Sequence, residues 1–178
     1  MFKIMKLLQD SFISEKSKQI LLSQNESKNI YAIPLKPETK IKNVLYDWPS
    51  HEGPFKGAVD LAVDLGTDIL APLDGRVVEI VDKYDKYGKG EEFGKYLNFI
   101  TIAHTNGEYS QLAHIAKDSS KVKVGQFVKT GQKIGVTGLN GWMEEPFLEH
   151  VHMLVFKLIP GGGFQGLKIR FLKQPRVS

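Results

Sequence analysis

No cysteine occurs among the 178 residues. Disulfides are thereby excluded as a source of stability, and any metal site has to be built from His, Asp and Glu. Long apolar runs are missing too. The N-terminal run Met1 to Leu8 is interrupted at Lys6 and ends by Gln9, short of a secretory h-region, and nothing later approaches the ~18 apolar residues of a membrane span. As written, the chain reads as soluble and unexported, with no transmembrane segment. No zinc-finger spacing or aromatic-interleaved basic repeat occurs, so nucleic acid is not an expected partner. No internal repeat of solenoid length is visible either.

What is present fits one globular domain. The length allows a single sizeable core, and 42% hydrophobic with 25% charged residues is the composition of a folding chain. The formal charge of +4 is uneven. After His152 stand Lys157, Lys168, Arg170, Lys173 and Arg176 and no acid. That basic end is either a solvated tail, the favoured reading, or a contact for an anionic surface such as a cell-wall polymer, lipid headgroups or nucleic acid.

Residues 3 to 24 carry Ile4, Leu7, Leu8, Phe12, Ile20 and Leu21 at a partly helical spacing that breaks near Ser14 to Ser17, which predicts a weak helix or two. From Tyr31 onward short apolar runs alternate with Gly, Pro and Asp, the punctuation of strands. Strands are predicted over Gly57 to Leu65, Ile69 to Leu70, Gly75 to Tyr84, Tyr96 to His104, Glu108 to Ile115, Phe127 to Val128, Lys133 to Val136 and His150 to Leu158. Asn106-Gly107 marks a hairpin, because both residues tolerate positive φ. The expectation is an all-β, antiparallel, sandwich- or barrel-like domain over 48–160. A short, partly helical extension (1–47) precedes it, and a basic tail or edge strand (161–178) follows Gly161-Gly162-Gly163.

Five histidines are available: His51, His104, His114, His150 and His152. In a strand, alternate side chains share a face, so His150 and His152 point one way while Val151 and Met153 point the other. Two imidazoles within an apolar strand are costly to bury unless something uses them; the alternative is an exposed edge-strand pair. Asp60 interrupts Ala58-Val59-Asp60-Leu61-Ala62-Val63, where a buried carboxylate would need a cation or donors; the alternative is a partly exposed face shared with Asp64. His114 lies in or at the end of the run Tyr109 to Ile115, a place as compatible with a structural histidine as with a functional one.

Taken together, Gly57 to Ile80, Tyr109 to Ile115, Val122 to Gly141 and His150 to Phe156 resemble, in the same order, the lysostaphin/LytM-type zinc metallopeptidases. The similarity covers roughly residues 48 to 158. It implies the duplicated hybrid motif fold, a Zn²⁺ cofactor and a peptide or peptidoglycan substrate. It also implies that Asp60 and His152 are zinc ligands and that His114 and His150 are the catalytic pair. The remaining ligand is implied to be a histidine upstream of Asp60. Position 56, where the commonest pattern has it, is Lys, whereas His51-Glu52-Gly53 through Ala58-Val59-Asp60 fits a longer-gapped variant and selects His51. Leu112, Val151, Met153 and Trp142 to Glu149 depart from the usual residues and would reshape the rim. His104 matches a family histidine with no metal role.

Two imidazoles and a carboxylate would leave one zinc position open, as a catalytic site requires. With no HExxH motif, histidine has to serve as the base. A rival reading is a non-catalytic activator module of cell-wall hydrolases. The Val122 to Gly135 stretch also resembles the turn of lipoyl carriers, but no modifiable lysine stands at a nearby hairpin tip. A sugar-phosphotransferase module would use paired histidines and has no need of Asp60. Localisation and oligomeric state are not legible: a wall substrate implies the envelope, and no signal peptide is visible.

Overall fold

β-Branched and aromatic runs bounded by turn residues become strands wherever alternate positions can be buried. The computed structural model describes residues 25–46, 48, 50–143 and 149–177, and the helical expectation for residues 3 to 24 lies outside them. The strands are β1 (Asn43–Leu45), β2 (Val59–Ala62), β3 (Asp68–Leu70), β4 (Gly75–Val81), β5 (Tyr87–Gly88), β6 (Phe99–Ala103), β7 (Glu108–Ala113), β8 (Phe127–Val128), β9 (Lys133–Val136), β10 (Gly141–Trp142), β11 (His150–Leu158) and β12 (Phe164–Leu167). Helical structure among the described residues is limited to short 3-10 turns at Gly53–Phe55, Glu91–Tyr96 and Thr105–Gly107. The described residues are all-β, as the strand spacing predicts. Among the described residues no helix is long and apolar enough to cross a membrane.

The main sheet runs β1-β2-β11-β7-β6-β4-β8, with β12 beside β11. Its pairings are antiparallel. Strand β11 is its spine: one edge takes β2 along residues 150–153 and then β12 along 155–158, and the other edge takes β7. Small ladders β3-β9 and β5-β10 complete the architecture. The β6-β7 hairpin turns at Asn106 (φ 60°) and Gly107 (φ 67°), the left-handed pair anticipated from Asn-Gly.

One face of the sheet carries Val59, Leu61, Ile100, Ile102, Leu112, Val151, Met153 and Val155 into the core, against Ile69 of β3 and Ile134 of β9. The segments flanking the sheet join that core. Tyr31, Ile169 and Phe171 are buried in it, and Tyr31 and Phe171 form a parallel bridge. The buried Glu108 carboxylate ties down the incoming chain: it accepts hydrogen bonds from the Lys28 and Asn29 amides and from the Tyr31 hydroxyl at 3.0 Å.

Gly138 is where the turn before β10 crosses the chain leaving β7. Its amide donates to the His114 carbonyl at 2.8 Å, and a Cβ there would lie 2.4 Å from Ala116 Cα. Backbone cannot retreat as a flexible side chain can, so Gly138→Ala should lower stability by about 1–3 kcal/mol. Urea unfolding checks this, and an unchanged midpoint would show that the crossing tolerates a methyl group.

Candidate metal centre

On the face of β2 and β11 turned away from the main core stand Asp60 and Ala62, and His150 and His152, with Leu154 and Phe156 beyond them in a smaller apolar cluster. Register pairs His152 with Asp60 and His150 with Ala62, so the carboxylate and both imidazoles share one patch of sheet. His152 Nδ1 lies 2.8 Å and His150 Nε2 3.8 Å from Asp60 Oδ1.

His51 arrives from the preceding loop, its Nε2 3.2 Å from the same oxygen. The chain between His51 and Asp60 is taken up by the 3-10 turn Gly53–Phe55 and by Gly57 at φ 97°. A Cβ on Gly57 would sit 2.6 Å from the Leu167 carbonyl oxygen. Only glycine can both adopt that backbone and pass so close under β12.

His114 reaches the site by a different route. Ala113 pairs with His152 and therefore shares its face, so a regular continuation of β7 would send His114 into the core. Instead His114 adopts φ 61°, a left-handed conformation that costs a non-glycine residue roughly 1–2 kcal/mol. The ring ends 4.4 Å from that of His150, centroid to centroid. Its Nδ1 donates to the Asn140 carbonyl at 2.8 Å; a carbonyl can only accept, so Nε2 is the atom left for chemistry.

The same logic tests the site for a cation. His51 Nδ1 is 3.0 Å from the Tyr46 carbonyl and must be the protonated nitrogen when the ring is neutral, which turns a lone pair at Nε2 toward a carboxylate oxygen. Two electron-rich atoms at that distance repel unless a proton or a metal ion lies between them. His51, Asp60 and His152 each offer a donor atom, all within 4.8 Å of one another. Donors ~2.1 Å from a tetrahedral ion are roughly 3.4 Å apart, so this set suits zinc.

Electrostatics agree with the geometry. Burial is the largest influence on Asp60 and would raise its carboxyl, yet His152, His51 and His150 outweigh it and hold the group well below the usual carboxylate range. For His114, burial and then the neighbouring His150 and His152 push the imidazole well below its ordinary value, against the pull of the Asn140 carbonyl. These surroundings favour the uncharged ring.

Asp60, His114, His150 and His152 line a cleft of ≈ 850 Å³. Its walls include Trp48 and Phe55 on one side of the ligand loop, Trp142 and Met143 of the β10 region, and Lys95 and Leu97 of the insertion after β5. The structure thus brings together all five residues singled out in the sequence. His104 stays apart, its ring held by the Asp74 carbonyl and the Ser110 hydroxyl. Sequence reasoning missed Asn98 and Asn140, both fully buried. A polar amide opening the apolar run Phe99 to Ala103 is the signal that would have flagged the first.

The profile of peptidase family M23 matches residues 54–158, a stretch that begins just after His51 and includes the other four site residues. The glycyl-glycine endopeptidase ALE-1 of Staphylococcus capitis is 34% identical over 96 residues, 53% of this chain and 24% of that protein. The murein hydrolase activator NlpD of Escherichia coli is 36% identical over 98 residues, 55% of this chain and 23% of that protein. Among solved structures, a mutant catalytic domain of the prophage-encoded M23 protein EnpA of Enterococcus faecalis gives a TM-score of 0.52 at 24% identity. It covers 76% of this chain and 92% of that one, a likeness of fold. The chain spans about a quarter of the length of these two curated relatives.

Because His51 lies outside the matched stretch, it is the donor that most needs its own test. Zinc titration of metal-stripped protein should give about one equivalent per chain, and His51→Ala should weaken binding by more than the roughly 10- to 100-fold typical of losing a mere supporting residue. Parent-like affinity in that variant would remove His51 from the donor set.

Proposed function

The chain belongs to peptidase family M23, and from that premise we propose that it is a zinc metalloendopeptidase acting on the stem or cross-bridge peptides of peptidoglycan. The observation that carries this reading is the complete set of groups around Asp60: His51, Asp60 and His152 as donors to zinc, with His114 and His150 beside them in an open cleft. When bound, zinc supplies Lewis acidity, lowering the pKa of a water to about 7 and polarising a carbonyl.

The chain's own residues do the rest. His51 is aimed by the Tyr46 carbonyl, and His152 is held in the antiparallel ladder opposite Asp60. Neutral His114 presents Nε2 as the proton acceptor for the attacking water, because its Nδ1 proton is committed to the Asn140 carbonyl. His150, in ring contact with His114, is placed to donate to the oxygen that becomes negative as the carbonyl is attacked. The aromatic walls formed by Trp48, Phe55 and Trp142 shield this chemistry and flank an extended peptide. The name of the Staphylococcus capitis relative makes a glycine-containing bond the first substrate to try.

A second reading is an activator of other wall hydrolases, favoured by the likeness to the Escherichia coli activator. The full donor set argues for the peptidase, since an activator has no need to keep five metal-site and base positions filled. The two readings separate in a cleavage assay. Zinc-loaded protein should hydrolyse glycine-rich or peptidoglycan-derived peptides, and His114→Ala should lower kcat by about 100-fold or more while zinc stays bound. If loaded protein cleaves nothing yet stimulates a separate murein hydrolase, the activator reading replaces this one.

A further inference from the structure

Beneath His114 lies a buried polar network that the proposed chemistry leaves unused. Asn98 and Asn140 are both fully buried, where an amide must satisfy donor and acceptor alike. The Asn98 backbone N–H donates to Asn140 Oδ1 at 2.7 Å. Asn140 Nδ2 and Asn98 Nδ2 both donate to the Ile115 carbonyl, at 2.7 and 2.9 Å. Asn98 is itself fixed to the Tyr84 backbone, accepting from its N–H at 3.0 Å and donating to its carbonyl at 2.7 Å.

Ile115 directly follows the left-handed His114. Two amide groups therefore converge on the carbonyl just past the strained residue, while the Gly138 amide takes the His114 carbonyl. With both ends of its side chain committed, Asn140 has little freedom, and its own backbone carbonyl is the group that receives His114 Nδ1–H. The chain just past His114 is thus held by one pair of side chains, and the proton on the ring's far nitrogen is directed by the backbone of one of them. Only a short side chain with donor and acceptor together can do this: Asp lacks the donor, and Leu, of similar shape, lacks both.

We propose that Asn98 and Asn140 are positioning residues, a clasp that holds His114 out of its strand's alternation with Nδ1 protonated and Nε2 presented to the cleft. The inference rests on the peptidase reading for its catalytic consequence. Its structural core, the orientation and tautomer of His114, stands apart from that reading. Neither asparagine touches the donors His51, Asp60 or His152 by any hydrogen bond described above, so the clasp acts on the base and leaves metal binding alone.

The test uses the whole zinc-loaded chain. Asn140→Ala and Asn98→Ala should each lower kcat by about 10- to 100-fold, the loss expected when a catalytic group is misaligned by around an ångström. KM should stay within about twofold and zinc content at about one per chain. The double variant should fall no further than the worse single one, because both act through the same carbonyl. Nitrogen NMR of the ring should show His114 protonated at Nδ1 in the parent and a mixture of tautomers in Asn140→Ala. Parent-like kcat in folded, loaded variants overturns the proposal, as does a loss that follows folded fraction or zinc content. Should the alanine variants not fold, Asn140→Ser and the parent's ring spectrum decide, and a parent His114 protonated at Nε2 overturns the clasp outright. If the parent binds zinc but cleaves no peptide, the peptidase reading fails, while the NMR result still judges the clasp.

Discussion

Asp60 is a carboxylate that water barely reaches, in the middle of a strand whose neighbours are all apolar. Left alone, such a group would have to take up a proton or force the strand apart, because the desolvation of a lone charge outweighs anything one strand contributes. Imidazole nitrogens from two other segments converge on a single one of its oxygens, and a proton or a metal ion between those atoms is what lets it stay ionised. Everything else about the site follows from keeping that convergence. Register must bring His152 opposite Asp60, the loop before β2 must deliver His51, and the chain beyond β7 must turn out of its plane to bring His114 near.

The sheet supplies the first of these without further cost. Antiparallel pairing of β2 with β11 sets Asp60 against His152, and slipping either strand by one residue would put Val151 or Leu61 at the site and send the charged groups into the core. The apolar residues that alternate with the site residues are thus what holds the site in register: the core side of the sheet prevents the slip. The other two features run against local preference. Gly57 lets the His51 loop pass beneath β12, and the buried asparagines support a backbone conformation that His114 would not choose. Local rules broken at one place and compensated next to it are the pattern expected where a site, and not folding alone, constrains the sequence.

That division explains what could be read from the sequence. The strand runs, the Asn-Gly hairpin and the shared face of His150 and His152 were legible because a period of two and turn chemistry are local properties. Asp60 was visible as a charge where only apolar residues belong. Its burial was not, since exposure depends on β1 and β11 closing over both sides. The role of His114 could be anticipated from the family resemblance and not from the strand pattern, which by itself points the ring at the core. Asn140 was illegible for a related reason: a backbone carbonyl leaves no mark in the sequence, and its side chain matters only once Asn98 and Ile115 lie against it. Tyr31 and Phe171 are a further case. Nothing local says that residues at opposite ends of the chain bridge, and the bridge draws the basic C-terminal stretch onto the core through Ile169 and Phe171 while Lys168 and Arg170 face solvent.

The donor set and the walls of the cleft therefore answer to different constraints. Of the three candidate donors, Asp60 and His152 are fixed by the sheet, where a change of one residue disturbs both the core and the charge balance at Asp60, while His51 is held in its loop by the Tyr46 carbonyl. The walls come from segments outside the main sheet, the ligand loop with Trp48 and Phe55, the β10 region with Trp142, and the insertion carrying Lys95 and Leu97. Their side chains can change without touching register or the buried carboxylate. Fold and donors alone would allow many peptide substrates; discrimination has to come from contacts that differ between substrates at the rim.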